Sequence, residues 1–308
     1  MSDTLIECVP NFSEGRRPAV VEAILAAMRV EGVRLLDWSS DADHNRSVVT
    51  IAGPAVAVLE SAVRGAGKAA ELIDLTTQRG VHPRIGAADV IPFVPIRGIS
   101  LEQCALLARQ AGMEIWKRHQ VPVYFYEAAA ARPDRALLEE VRRGQFEGLR
   151  EAVLREPARR PDVGGPSLHP TAGASAVGAR KFLIAFNLFL DTADVAIARA
   201  IARDIRHAGG GLAGVKAMGV SAQNFAQVSM NITDFTRTPV GEAYEAVREK
   251  ARRHGAKPVR AELIGLIPEA ALERNSEWVR LLHEFGGFNP EKKVLERRLE
   301  QPLAWPGA

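Results

Sequence analysis

The order in which predicted strands and helices alternate constrains the fold of this chain more than any other feature. Apolar residues alternating with polar ones, or β-branched runs, indicate strands, and apolar residues three and four apart indicate helices. The first part of the chain is predicted as strand, helix, strand, strand, helix at Leu5–Val9, Pro18–Met28, Val33–Leu36, Asn45–Ile51 and Ala55–Ile73. A strand, a helix and a strand follow at Asp89–Pro95, Leu101–Arg118 and Val121–Tyr126. The prolines of Asp89–Pro95 predict an edge strand or a strand end there.

A second series of elements begins after a segment dense in proline and glycine, EPARRPDVGGPSLHPTAGASAVG, which is typical of a junction. Its order is βαββαβ, at Lys181–Leu190, Ala193–Ala208, Val215–Val220, Ala226–Thr233, Pro239–His254 and Val259–Ile267. This order places two helices on one face of an antiparallel sheet. The sequence therefore predicts an α+β fold, an α/β sandwich of two ferredoxin-like βαββαβ lobes whose antiparallel sheets are packed by helices. The predicted domains are residues 1–178 and 179–308.

Composition narrows the class of protein. A chain of 308 residues with 47% hydrophobic and 25% charged residues has the length for about two domains. Forty basic and 37 acidic residues nearly balance, which argues against nucleic acid as a partner. Its longest apolar stretch, Phe182–Leu190, is too short to span a membrane. With no secretory signal and no CxxC spacing, we expect a cytoplasmic protein that does not bind membranes.

One segment carries a candidate for proton transfer. His82 lies in GVHPRIGAADVIPFVP, at a predicted loop that leads into a strand. Pro83 restricts the backbone of His82 to extended conformations, and Gly86 permits close backbone approach. An imidazole accepts and donates protons near neutral pH, so this position suits a general acid/base. The alternative is that His82 only satisfies a hydrogen bond within the loop.

The stretch HPRIGAADVIPFVPI resembles the signature of the formiminotransferase family, whose proton-transfer histidine matches His82. Five further blocks are similar to family segments in the same order: VPNFSEGR, DADHNRSVVT, GARKFLIAFN, AQVSMNITDF and AELIGLIPEAAL. The resemblance extends over about residues 4–272. It is to the single-function glutamate formimidoyltransferase form, without the cyclodeaminase domain of the animal enzymes. It implies a folate cleft between two lobes, and a homodimer.

The resemblance also implies a reaction. A formimidoyl group would pass between N-formimidoyl-L-glutamate and tetrahydrofolate, giving L-glutamate and 5-formimidoyltetrahydrofolate in histidine degradation, with His82 as general acid/base. Tetrahydrofolate would be the co-substrate. We weigh two alternatives: a related folate-dependent formyl or formimidoyl transferase with another acceptor, and a folate-binding protein without turnover.

Several binding residues follow from the same resemblance. The folate-contacting loop would comprise Gly164, Gly165, Pro166, Ser167, Leu168, His169, Pro170, Thr171, Ala172 and Gly173. From the residues alone this loop equally suits a flexible connector. Guanidinium groups grip carboxylates, so Arg46, Arg84 and Arg180, which lie in the matching blocks, are expected to bind glutamate and the folate tail. We also expect the charge of Arg84 to help keep His82 neutral, although a surface ion pair would explain this arginine as well.

A carboxylate close to His82 would orient the imidazole or stabilise a cationic intermediate. Asp41 and Asp43, in DWSSDADHNR, are the chosen candidates, and Asp89 is a third. The DxDH cluster also invites a metal site, but the sequence does not complete a ligand set, so we expect no metal.

Overall fold

The computed structural model describes residues 4–286 and 288–306. The chain forms two compact units, one containing the residues up to Arg180 and those from Pro302 onward, the other containing Lys181–Gln301. Each unit has a β-sheet packed by helices, so the predicted α+β class is confirmed. The predicted division between residues 178 and 179 stays a proposal, and residues 1–3, 287 and 307–308 of the predicted domains lie outside the described residues.

The first unit is built on a βαββαβ core. Its elements are β1 Leu5–Cys8, β2 Asn11–Phe12, α1 Pro18–Ala27, β3 Arg34–Asp41, β4 Arg46–Gly53, α2 Ala55–Leu72 and β5 Ala88–Arg97. β1 and β2 are consecutive parts of one interrupted strand, because both pair antiparallel with β4 on one side and with β5 on the other. β3 pairs with the far side of β4. The four strand positions therefore have the ferredoxin-like order expected from the sequence.

Two more strands extend this sheet beyond the core. The extension contains α3 Leu101–His119, β6 Val123–Glu127, α4 Leu138–Val141, α5 Gln145–Arg155 and β7 Ser175–Ala179. β7 lies between β5 and β6 and runs parallel to both. The expectation of a purely antiparallel sheet is therefore wrong for this unit. The reason is α3, which returns the chain across the sheet so that β6 starts from the same end as β5.

β5 is an interior strand, so the expectation of an edge was also wrong. It pairs with β1 and β2 on one side and with β7 on the other. Its prolines lie where the antiparallel ladder is already irregular. Pro92 faces the break between β1 and β2, where its carbonyl accepts the Val9 amide at 3.2 Å. Pro95 lies beside the register shift between Leu5 and Ile6, so neither proline removes a regular ladder bond.

The second unit has the predicted βαββαβ order. Its elements are β8 Ile184–Leu190, α6 Val195–Ile205, β9 Val215–Ala222, β10 Phe225–Ile232, α7 Val240–Arg253 and β11 Pro258–Ile264. The strands are all antiparallel, in the order β11-β8-β10-β9, which is the ferredoxin-like arrangement. Three helices follow at α8 Glu277–Gly286, α9 Pro290–Lys293 and α10 Leu295–Glu300.

The apolar core of the first unit lies between its sheet and helices α1 to α3. Ile6 and Cys8 of β1 are fully buried in it. Successive strand residues point to opposite faces, so Glu7 projects from the other face of the sheet, where it is only 2% exposed. This glutamate is therefore kept apart from the helix-packed core.

Candidate active site

Three loops of the first unit meet around His82. His82 lies between α2 and β5, and its loop contacts the turn between β3 and β4 through the Val81 amide and the Asp43 carbonyl, 3.4 Å apart. Asn45 of that turn donates its side-chain amide to the Arg79 carbonyl at 2.8 Å. The buried Gln78 amide bridges the Asn45 and Ser13 carbonyls at 3.0 and 2.7 Å. These bonds fix the loop that carries His82 against the start of β4.

The Nδ1 atom of His82 has two competing partners. Nη1 of Arg46 lies 3.0 Å away and can only donate, whereas the Pro83 carbonyl oxygen lies 2.8 Å away and can only accept. One nitrogen cannot satisfy both at once, so the tautomer of the neutral ring selects the partner. Among the described residues no group hydrogen-bonds to Nε2. Nε2 is therefore the ring nitrogen that the described protein groups leave available.

Arg46 links His82 to a buried carboxylate. Its Nη1 also donates to Oδ2 of Asp89 at 2.9 Å, and its Nε donates to the Asn11 side chain at 3.1 Å. Arg142, which follows α4, donates to the same Asp89 oxygen. The other oxygen of Asp89 accepts the Ile85 amide at 2.8 Å. The imidazole thus lies next to two guanidinium groups that share one carboxylate.

This arrangement sets the protonation states of His82 and Asp89. Burial, followed by the charges of Arg46 and Arg142, lowers the pKa of His82 to about 3. Burial alone would raise the pKa of Asp89, but the same two arginines outweigh it and lower that pKa to about 2. Asp89 is therefore ionised and His82 neutral at physiological pH, which leaves the cluster with a net positive charge.

The structure does not bring the two chosen aspartates to His82. Asp41 ends β3 and accepts from His44 instead, with 3.1 Å between its Oδ2 and Nδ1 of that ring. The His44 ring centre is 6.2 Å from that of His82. Asp43 has an exposed side chain in the turn. Asp89, the third candidate, is the carboxylate that reaches the imidazole through Arg46.

Arg84 lies in a different environment from the one expected. It is 6% exposed, and it donates to Gln78 at 2.9 Å and to both Glu147 carboxylate oxygens at 2.9 and 3.3 Å. The positive neighbours that keep His82 neutral are Arg46 and Arg142. Arg84 instead joins the His82 loop to α5. Its proposed contact with substrate carboxylates has no support in this geometry.

The second half of the 164–173 loop is attached to the segment that follows His82. Ala87 donates to the Ala172 carbonyl, and Ala174 donates to the Ile85 carbonyl, both at 2.9 Å. Gly173 has φ +69°, and a Cβ added there would lie 2.1 Å from the Ile85 oxygen. A glycine is therefore required because the protein's own backbone approaches this closely.

The first half of this loop is more open. Gly164, Gly165, Pro166 and Ser167 are exposed, whereas the next residue, Leu168, is buried. His169 accepts the Ala172 amide at its Nδ1, 3.0 Å away, so a neutral ring carries its proton on Nε2. Burial lowers the pKa of His169. Thr171 accepts the Leu75 amide at 2.9 Å through its backbone oxygen, and Pro170 is exposed. The loop thus has an exposed arm, Gly164–Ser167, and a fixed base, residues 168–173.

Arg180 ends the strand segment that follows this loop, and its backbone amide donates to the Phe93 carbonyl at 3.1 Å. It acts electrostatically on Glu7. Burial raises the pKa of Glu7 to about 7, while the charge of Arg180 opposes that rise. The same charge acts on the buried Tyr126 hydroxyl. Arg180 is therefore part of the polar face of the sheet.

Sequence reasoning missed Arg142 and Glu7. Arg142 lies in RPDRALLEEVRRGQFEG, where its charged neighbours give no sign that one arginine of several is mostly buried. Glu7 did leave a signal, because an acid within the apolar strand LIEC is unusual for a buried segment. Asn11, which holds Arg46, lies in the VPNFSEGR block that matched the family.

The described residues contain neither a metal-binding cluster nor a membrane-spanning helix. No cluster of three or more histidine, cysteine or acidic side chains there could hold a metal ion. Within the same residues, none of the helices combines the length and the apolar character needed to cross a bilayer.

Comparison with known families gives this geometry a context. Residues 5–180 match the model described as the formiminotransferase domain, N-terminal subdomain, and residues 185–294 match the model described as the formiminotransferase domain. Together these matches cover most of both units. The class that the fold and site define is a two-unit α+β protein in which a histidine contacts a buried cluster of arginine and carboxylate groups. The chain belongs to the formiminotransferase family.

Individual relatives agree with this assignment. The chain is 43% identical over 298 residues to a glutamate formimidoyltransferase of Streptococcus pyogenes and 44% identical over 303 residues to one of Thermoplasma acidophilum. These alignments cover 96% and 97% of this chain and 98% of each relative. It is also 41% identical to the formimidoyltransferase-cyclodeaminase of Mus musculus, over 87% of this chain and 51% of that protein. The similarity to the first two extends over nearly their whole length.

Proposed function

We propose that this protein is a transferase that moves the formimidoyl group of N-formimidoyl-L-glutamate to tetrahydrofolate, giving L-glutamate and 5-formimidoyltetrahydrofolate. Family membership and near full-length similarity to proteins named glutamate formimidoyltransferase support the reaction. The observation that supports a catalytic role is the hydrogen bonding of the His82 ring. Its Nδ1 is held by protein groups, and its Nε2 is left for the substrate.

The reaction requires one proton to be lost from N5 of tetrahydrofolate and one to be gained by the glutamate nitrogen. N5 of tetrahydrofolate attacks the formimidoyl carbon, so a new N5–C bond forms and a tetrahedral intermediate with three nitrogen substituents results. The bond from that carbon to the glutamate nitrogen then breaks. In the tautomer whose Nδ1–H donates to the Pro83 carbonyl, His82 takes the N5 proton at its Nε2 and returns a proton to the departing glutamate nitrogen. No net proton or electron is gained or lost by the protein.

A neutral base beside surplus positive charge suits anionic substrates. The pair Arg46 and Arg142 exceeds the single charge of Asp89 by one, so a substrate carboxylate is attracted to this corner of the site. A bound carboxylate would offset the two arginines, raise the pKa of His82 and make the imidazole a stronger base when substrate is present. Such a change would couple substrate binding to proton transfer.

Other residues receive supporting roles in this proposal. The exposed arm Gly164–Ser167 contacts folate, while the fixed base of the loop keeps that arm in register with His82. Arg180 contributes positive charge for a carboxylate of glutamate or of the folate tail. Asp41 assists indirectly by holding His44, whose ring is the aromatic neighbour of His82. Asp43 contributes through its backbone alone, and Arg84 supports the loop.

We further propose that the protein acts in the cytoplasm as a homodimer, in histidine degradation and one-carbon metabolism. The oligomeric state is checked by light scattering on a size-exclusion column. A mass near 67 kDa, about twice the 33.4 kDa of the chain, is expected. A mass of one chain would refute the dimer and leave the proposed reaction untouched.

The reaction itself is tested with purified protein, tetrahydrofolate and N-formimidoyl-L-glutamate. The expected product is 5-formimidoyltetrahydrofolate, which is converted by acid to the methenyl form and detected spectrally. N-formyl-L-glutamate serves as the matched donor, because it replaces the transferred nitrogen with oxygen. Faster transfer from the formyl donor would assign the protein to the alternative formyl transferase class. Binding of tetrahydrofolate without transfer from either donor would indicate a folate-binding protein.

A further inference from the structure

Arg142 is not among the site residues predicted from the sequence, yet its side chain contacts Asp89 in the site. Its side chain is 12% exposed and reaches Asp89 from the end of α4, a segment separate from the strands that carry Arg46 and Asp89. It donates to Oδ2 of Asp89, the oxygen that also accepts from Arg46. The backbone amide of Ile85 occupies the other oxygen. The carboxylate is therefore fixed from three separate parts of the chain.

One arginine would suffice to neutralise this carboxylate. Arg46 already forms an ion pair with Asp89 at 2.9 Å, and a second buried guanidinium adds a desolvation cost that packing alone does not repay. In addition, Nε of Arg142 is buried and has no hydrogen-bonding partner among the described residues. What the second arginine adds is a positive charge close to His82, and a second hold on the carboxylate that orients Arg46.

We propose that Arg142 is a positioning residue, which holds Asp89 so that Arg46 stays beside His82, and whose charge disfavours protonation of the imidazole. This inference deepens the proposed function, and it rests on His82 being the acid/base of the reaction. Removal of the Arg142 charge leaves Arg46 and Asp89 as a balanced pair. The electrostatic penalty on the imidazolium then falls, while the penalty from burial remains.

The charged and titratable groups that face His82 come from four elements. β4 contributes Arg46, the end of α4 contributes Arg142, and β5 contributes Asp89. The turn between β3 and β4 contributes His44, whose ring lies 6.2 Å away and is paired with Asp41. Of the two arginines, Arg142 is the one whose removal lowers the positive charge without breaking a direct contact to the imidazole.

The test is an NMR titration of the His82 ring in the full-length protein without ligand. The variants are Arg142→Met, which removes charge and hydrogen bonds, Arg142→Gln, which keeps a donor, and Arg142→Lys, which keeps the charge. Arg143→Met is the matched control, because Arg143 is adjacent in sequence, is exposed and pairs with Glu140. The His82 signal is assigned by its loss in His82→Asn.

We expect the His82 titration midpoint to rise by about one pH unit in Arg142→Met and Arg142→Gln, to stay near wild type in Arg142→Lys, and not to move in Arg143→Met. A purely structural arginine would lower stability in the Met and Gln variants and leave the midpoint unchanged. That result, or a midpoint that falls, would overturn the proposal. The titration needs no turnover, so it remains decisive even if the protein transfers another group.

Steady-state kinetics of the same variants distinguish a positioning role of Arg142 from a role in folding alone. In Arg142→Gln we expect kcat to fall about tenfold and the acid limb of its pH profile to move upward, with KM for tetrahydrofolate less affected. Rescue of the profile by Arg142→Lys is expected, because lysine restores the charge. An Arg142→Gln enzyme with wild-type kcat and an unshifted profile would also contradict the positioning role.

Discussion

The two units share a βαββαβ core but differ in where they place charge. The first unit buries acidic and basic side chains that include Glu7, Arg84 and Asp89, whereas in the described part of the second unit Arg298 is the one buried side chain of this kind. Charge in the second unit lies at the surface, in pairs such as Arg248 with Glu277. Burying charge costs stability unless it is paired, so its concentration in one unit agrees with the position of the proposed catalytic site. Under the proposed function, the first unit therefore carries the acid/base and the second unit acts as scaffold.

The largest loss of turnover is expected when His82, in the first unit, is replaced. His82→Ala should lower turnover by about 10² to 10⁴, the usual contribution of a positioned acid/base. His254→Ala, at the exposed end of α7 in the second unit, is the matched control and should leave turnover unchanged. Both variants are compared by steady-state transfer, with circular dichroism as the check on folding. A His82→Ala enzyme within tenfold of wild type would remove this residue from the mechanism.

A second prediction concerns the pH dependence of stability. Because the pKa of Glu7 rises from 4.5 in the ordinary state to about 7 when folded, the folded protein binds this proton more tightly than the unfolded chain. Stability therefore falls as pH rises from 4.5 through 7, by about 3 kcal/mol at most. Glu7→Gln removes this dependence, so at pH 8 it should be more stable than wild type by up to that amount.

Urea unfolding at several pH values measures the Glu7 effect. The difference between Glu7→Gln and wild type should shrink toward zero as pH approaches 4.5. Glu284→Gln, at an exposed position of the second unit, is the control and should not show this trend. If Glu7→Gln is destabilised equally at all pH values, the glutamate is held ionised by Arg180, and the balance between burial and charge was assigned wrongly.

Two of the mostly buried arginines near His82, Arg84 and Arg46, are expected to differ in their effects. Arg84→Met should destabilise the protein by about 2 kcal/mol, because it removes a buried hydrogen-bonding centre whose partner Glu147 is half-exposed. Turnover per folded molecule should stay near wild type. Arg46→Met should instead lower turnover about tenfold or more, because it contacts His82 directly. A strong loss of turnover in folded Arg84→Met would restore its predicted role in substrate binding.

The smallest effect is expected in the second unit. Arg248→Met removes surface pairs with Glu245 and Glu277 in which each side chain is roughly half-exposed. Such pairs are screened by solvent and contribute little, so the urea midpoint and the turnover should both match wild type. A clear loss of turnover in this variant would show that the second unit takes part in chemistry, and the division of labour between the units would fail.

The sequence predicted much of this organisation because periodicity reports which face of an element is buried. Both βαββαβ cores followed from it. β7 was missed because Ser175–Ala179 consists of small residues and valine, and a central parallel strand shows no polar alternation. The position of β5 was wrong because the two prolines fit irregularities of the partner strand, which no local pattern reveals.

The candidate site was predictable only in part. His82 stood out through its flanking proline and glycine, and through the family resemblance. Arg142 did not, because tertiary contacts bring it to Asp89 from a segment 53 residues away. Asp41 and Asp43 were chosen for proximity in the matching block, yet the turn directs Asp41 toward His44. Sequence spacing locates groups on elements, but the direction of each side chain depends on packing.

The central claim, that the His82 imidazole itself transfers the proton, is tested most directly by chemical rescue. His82→Gly is assayed for formimidoyl transfer from N-formimidoyl-L-glutamate to tetrahydrofolate with and without added imidazole, and His44→Gly is the control. The account predicts that imidazole restores a saturable part of the lost rate in His82→Gly, and that the rate increases with the basicity of substituted imidazoles. It predicts no rescue in His44→Gly. A His82→Gly enzyme whose rate is severely reduced but indifferent to imidazole of any basicity, or one that keeps the wild-type rate, would contradict it.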